Sequence, residues 1–276
     1  MSSQPISRAA LATYLCLTLA LSSVFWWLII GGRTGYVFWL MWSPGTSALL
    51  TRFIFQRNLR GQGWAPGAPR WLAMGYLLPV AYATVAYAAV WAAGLGGVDL
   101  SRFHTPIARF VLLGSLQSVL SATGEELGWR GFLVPALSQR FTLAKTAVVS
   151  GAIWSVWHYP LIIFASYNAG TATWYAVLCF TVMVIGLSFP LAWLRLRSGS
   201  FWPAALFHAS HNLFIQGFLD RVTVDTGRTL WLTTEFGAAL AITVAVTAWL
   251  YWRRRDLVEA SDSSRAGQLG VAAQSA

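Results

Sequence analysis

Apolar residues run along this chain in unbroken stretches of about twenty, each ended by a short polar segment; about twenty such residues are needed to cross a bilayer as a helix. The stretches are Ala9–Ile30, Tyr36–Phe55, Trp71–Ala93, Pro106–Leu137, Thr146–Phe164, Trp174–Leu194, Phe201–Leu219 and Thr229–Trp252. The pattern predicts an all-α, polytopic membrane protein, a bundle of about eight transmembrane helices. A transmembrane barrel would instead alternate over segments of about ten residues. Arg8 ahead of the first run resembles a signal-peptide n-region, but the run of about twenty-two residues exceeds the roughly 7–15 of a cleaved signal, so a retained helix is expected. Pro44-Gly45 predicts a kink in the second span. As a straight helix the fourth run would reach about 48 Å, against a hydrocarbon core of about 30 Å. It either breaks near Thr123-Gly124 or protrudes.

Composition agrees: 57% hydrophobic, 10% charged, mean hydropathy +0.57. The formal charge of +10 is concentrated in Gln56–Arg70, Ser138–Lys145, Arg195–Gly199 and Arg253–Arg255. All four fall on one side if both termini are cytoplasmic, which is the bias of cytoplasmic loops. Gly31–Gly35, Gly94–Arg102, Ala165–Thr173 and Asp220–Arg228 then lie outside. The preference for Arg over Lys fits a bacterial plasma membrane. Scattered arginines in short loops do not make a nucleic-acid-binding face. Cys16 and Cys179 lie in apolar spans with no CxxC spacing, so neither a redox pair nor a cysteine metal site is expected. Residues 1–256 are expected to form one bundle with a core at about 111–218, and residues 257–276 a disordered cytoplasmic tail.

The chemistry is concentrated in TGEELGWRGFL, residues 123–133, where ionisable groups sit inside an apolar span. Such groups mark functional sites by default. Glu126 and Arg130 are four apart, the order that favours an intrahelical ion pair. Glu125 then points about 100° away, toward some other partner. His158 lies in the fifth span, and His208 and Asn212 share one face of the seventh. At 1.5 Å per residue these groups reach similar depths if the hairpin of spans four and five projects roughly 10 Å from the membrane. A buried histidine is more often a hydrogen-bonded bundle residue than a catalyst, so the weight falls on the set. His211 fits either role, His104 is incidental, and Glu235, near the outer end of span eight, is expected to be wetted.

Three chemistries suit this set. A glutamate with a histidine can activate water, and a His–Asn pair can hold an oxyanion, together hydrolysing an amide. Alternatively Glu125, His158 and His208 bind a catalytic zinc, although there is no HExxH. A proton-coupled transporter would also use buried Glu and His. A non-enzymatic immunity or scaffold protein retaining the bundle is a further reading.

The motifs Glu125-Glu126-x-x-x-Arg130-Gly131, Trp154-x-x-x-His158 and His208-x-x-x-Asn212, in this order, resemble the CPBP family of intramembrane endopeptidases. This is the Abi or type II CAAX prenyl protease family, which includes the Ras-converting enzymes. The likeness spans about Val111 to Phe218. It departs at Trp154, where the family often has Phe. The resemblance implies an eight-helix bundle with a cavity open to the cytoplasm and a glutamic peptidase without metal. It implies Glu125 and His158 on the water, His208 and Asn212 at the oxyanion, and Glu126 and Arg130 in support. The implied partner is a membrane-associated protein or peptide, prenylated in some members and not in others, cleaved near the cytoplasmic side.

Overall fold

The computed structural model describes residues 5–256. Eight helices carry the fold among these residues: α1 (Arg8–Ile30), α2 (Val37–Gln56), α3 (Pro69–Ala92), α4 (Ile107–Ser138), α5 (Leu143–Phe164), α6 (Thr173–Ser198), α7 (202–222) and α8 (Ala238–Trp252). The tail, expected to be disordered, lies outside the described residues. Five helices, α1 and α3 to α6, are long and apolar enough to cross a membrane. Polarity is inverted relative to a water-soluble protein. Phe53 is 73% and Trp27 72% exposed, whereas Arg130 is 1% and Glu126 0%. Apolar side chains face lipid and charge is kept inside, as in a multi-pass integral membrane protein.

Local sequence sets the helix ends. Ser7 caps α1 by accepting from the Ala10 amide, Thr142 caps α5 by accepting from the Lys145 amide, and Gly199 ends α6 in the left-handed conformation at φ 71°. α2 continues through Pro44. α4 is continuous over 32 residues and does not break at Thr123-Gly124. It contains two π turns, Phe110–Gly114 and Trp129–Leu133, the second just past the paired glutamates. α7 likewise runs from Trp202–Phe214 through a π turn, Ile215–Leu219, to Asp220–Val222.

The eighth helix is shorter than its apolar run predicts, beginning at Ala238 rather than Thr229. Side-chain and backbone bonds compete with the helix in between. The Thr234 amide donates to Tyr87 Oη, Thr234 Oγ1 accepts from the Phe236 amide, and Thr234 has φ 65°. Residues 232–237 therefore form an irregular strap inside the bundle.

α2 and α4 approach closely through glycine. A Cβ on Gly124 would lie 2.7 Å from Trp42 Cα, and one on Gly128 2.6 Å from the Pro44 carbonyl carbon. This contact, with α4 against α7 and α5 against α6, sets the spacing around the paired glutamates.

The two ends of the bundle differ. One gathers loops 57–68, 139–142 and 199–201 with the start of α1 and the end of α8; there the Ile6 amide donates to Gln139 Oε1 at 2.9 Å. The other gathers loops 31–36, 93–106, 165–172 and 223–237, joined by an antiparallel pair of short strands, Gly97–Val98 and Thr223–Val224.

Candidate active site

α4 presents its two glutamates to different neighbours. Glu126 Oε1 accepts from Arg130 Nη1 at 2.9 Å, the pair the four-residue spacing predicts, and also from His208 Nδ1 at 3.0 Å. Glu125, 2% exposed, turns away from Arg130. Its Oε2 accepts from the indole nitrogens of Trp154 at 2.7 Å and Trp129 at 3.1 Å. Among the described residues its Oε1 has no hydrogen-bond partner, and the side chain lines a cavity.

His158 comes from one turn below on α5. Its Nδ1–H donates to the Trp154 carbonyl at 2.9 Å, which in the neutral ring leaves Nε2 as an acceptor. The ring is packed against Trp157 and Phe180, with centroids at 4.7 and 4.9 Å. α7 brings His208, held through Nδ1, and Asn212 one turn beyond it.

All four predicted groups, Glu125, His158, His208 and Asn212, line one cavity of about 350 Å³. Glu126 and Arg130 lie behind it. The rest of the lining is largely apolar and includes Leu161, Phe180, Met183 and Leu187. His104 is exposed and remote from it.

Two features go beyond the sequence reading. Trp154 is more than an aromatic spacer: besides binding Glu125, its ring lies 4.3 Å beneath the Arg130 guanidinium. Its difference from phenylalanine was the available signal, because only the indole can donate. Glu235 is 7% exposed and not wetted, a correction that follows from the strap turning inward. It accepts from Tyr167 Oη at 2.5 Å and Gln216 Nε2 at 2.8 Å, and it pairs with His211 Nε2 at 3.1 Å. Tyr82 Oη lies 2.5 Å from His211 Nδ1 and completes this second network on the cavity wall.

Among the described residues no three His, Cys, Asp or Glu side chains are grouped so as to hold a metal ion. Glu125, His158 and His208 share the cavity without forming a convergent ligand set, and Glu125 Oε2 is occupied by two N–H donors.

Residues 107–214, which contain Glu125, Glu126, Arg130, Trp154, His158, His208 and Asn212 but not His104, Tyr82, Gln216 or Glu235, match the family model described as type II CAAX prenyl endopeptidase, Rce1-like. The likeness is confined to that segment, which is similar to the family's model. The CAAX prenyl protease 2 of Methanococcus maripaludis is 35% identical over 136 residues, 48% of this chain. The match spans 46% of that relative's own length, so less than half of it is represented.

The loop residues that line the cavity are Thr34, Ala165, Ser166, Tyr167 and Glu235, all at the end opposite the basic loops.

Proposed function

We propose that this chain is an intramembrane endopeptidase that hydrolyses an amide with Glu125 as general base. The observation that carries the reading is the meeting of Glu125, His158, His208 and Asn212 in the lining of one largely apolar cavity.

A water between Glu125 and His158 donates one proton to each acceptor, which aims its lone pair at a substrate carbonyl. Glu125 takes the proton as the C–O bond forms. The tetrahedral oxyanion then needs donors. Asn212 offers its amide, and His208 offers Nε2–H when it is an imidazolium. Two carboxylates and one guanidinium leave this buried cluster one positive charge short, and an imidazolium at His208 balances it. Glu126, bonded to both Arg130 and His208, holds that charge in place. Collapse breaks the C–N bond as Glu125 returns its proton to the leaving amine. The reaction balances with water as the only co-reactant, and no metal is invoked.

Acid–base groups of this kind contribute about 10²–10⁴-fold. Purified protein is expected to cleave an apolar quenched-fluorescence peptide, to lose that cleavage on Glu125→Gln, and to keep it in a zinc chelator. Wild-type cleavage by Glu125→Gln overturns the base assignment; loss in the chelator, restored by zinc, overturns the metal-free chemistry.

A further inference from the structure

Most polar side chains that line the cavity outside the Glu125 cluster are already paired. Glu235 and His211 bind one another, Tyr167 Oη donates to Glu235, and the Trp157 indole donates to Ser22 Oγ at 2.8 Å. Two side-chain amides of α7 are different. Among the described residues the Asn212 amide has no hydrogen-bond partner, and Gln216 uses only one of its groups. Gln216 Nε2 donates to Glu235 Oε2 at 2.8 Å, which leaves a second N–H and Oε1 for a ligand. A carboxylate with three donors around it can only accept, so this bond fixes which end of the Gln216 amide is nitrogen. Glu235 is itself held by Tyr167 and His211, so the orientation of Gln216 is set by a network rather than by one contact.

The spacing of these groups matches a polypeptide backbone. His208, Asn212 and Gln216 all line the cavity, four residues apart along α7. Four residues of helix rise about 6 Å. Alternate residues of an extended chain repeat at about 6.6–6.8 Å, and each presents its N–H and C=O on the same edge. A carboxamide carries a donor and an acceptor side by side, the complement of that N–H and C=O. The need for such a partner is real, because a peptide group moved from water into a largely apolar lining is costly unless it is hydrogen-bonded. Gln216 also lies in the π turn Ile215–Leu219, and such turns are frequent at functional sites.

We infer that Gln216 binds the backbone of an extended substrate, at the residue two places from the one that bears the scissile carbonyl, and that Glu235 is its positioning residue. The inference rests on the endopeptidase reading, in which Asn212 meets the oxyanion. Gln216 lies beyond residues 107–214, so the family likeness assigns it no role. With Asn212 on the scissile carbonyl, Gln216 meets the next residue on the same edge of the substrate. Its spare N–H donates to that residue's carbonyl, and its Oε1 accepts from that residue's N–H. Recognition of this kind selects an unwound segment, because a helical one has already paired its own N–H and C=O groups.

The test uses purified full-length protein and apolar quenched-fluorescence peptides in which one backbone N–H at a time is replaced by an ester oxygen. An ester two places from the scissile-carbonyl residue is expected to raise the wild-type KM about three- to tenfold. Gln216→Met is expected to raise KM for the all-amide peptide by about tenfold with kcat within a few-fold, and to be indifferent to that ester. A merely structural role would weaken every peptide equally, so the loss of ester sensitivity at one position is the deciding readout. Losses that multiply, or an unchanged KM in Gln216→Met, overturn the proposal. If Gln216→Met does not fold, the wild-type scan decides alone, and indifference to the ester at both positions two places away overturns it. If no peptide is cleaved in a Glu125-dependent way, the endopeptidase reading fails. Gln216 is then judged by fluorescence anisotropy of the labelled all-amide peptide, where weaker binding by Gln216→Met supports the contact and equal binding overturns it.

Discussion

The indole nitrogen of Trp154 lies 2.7 Å from Oε2 of Glu125, and the face of the same ring lies 4.3 Å from the Arg130 guanidinium. One side chain of α5 thus fixes both the carboxylate and the counter-charge of α4. Hydrogen bonds to charged groups are worth about 1.5–3 kcal/mol, and 1.4 kcal/mol is a factor of ten in rate. Trp154→Phe keeps the ring and removes the donor. It is expected to lower kcat by about tenfold with KM little changed, if the bond serves to hold Glu125 toward the water. Trp154→Leu also removes the surface beneath Arg130 and is expected to lower thermal stability as well. Steady-state kinetics and unfolding in detergent separate the two, and equal kcat for Trp154→Phe and wild type contradicts the positioning role.

Arg130, Glu126 and His208 act as one unit. Breaking a buried ion pair by removing one partner costs roughly 3–5 kcal/mol, whereas removing both costs far less. Arg130→Met should therefore destabilise strongly, and Glu126→Gln added to it should restore part of the loss. A double-mutant cycle on thermal inactivation measures the coupling; additive effects contradict a shared network.

Gly124 and Gly128 admit the backbone of α2. Overpacking a tight contact costs about 1–3 kcal/mol. Gly128→Ala is expected to fall in that range and to reduce activity by shifting Glu125 relative to α5. Gly32→Ala is not a fair control, since Gly32 has φ 87°; Gly35, with open space around it, is. Gly35→Ala should leave stability unchanged. Equal stability of Gly128→Ala and wild type contradicts the close approach.

The all-α bundle of eight helices, the ion pair of Glu126 with Arg130, and the meeting of Glu125, His158, His208 and Asn212 were legible because each follows from periodicity or rise along a helix. The strap at 232–237 was not, because its apolar composition reads as helix and only the Tyr87–Thr234 contact, remote in sequence, unwinds it. The Glu235–His211 network was hidden for the same reason. The Gly124-x-x-x-Gly128 spacing was visible in the chain and is a helix-contact signal in membranes.

The His211–Glu235 network lines the wall without joining the Glu125 cluster. Glu235→Gln keeps an acceptor for Tyr167 and is expected to leave kcat within a few-fold of wild type. His208→Gln, by contrast, is expected to lose on the order of a hundredfold. Glu235→Leu strands three buried polar partners and should destabilise by a few kcal/mol. Cleavage rates and unfolding of the three variants check this, and a hundredfold loss in Glu235→Gln would place Glu235 in the chemistry.

The central claim is that Glu125 activates water for peptide-bond hydrolysis. It is tested most directly by comparing peptide termini, by mass spectrometry, in membranes containing equal amounts of folded wild-type protein or Glu125→Ala. The account predicts new termini with wild type that are absent with Glu125→Ala. The same termini in both membranes, at the same abundance, would contradict it.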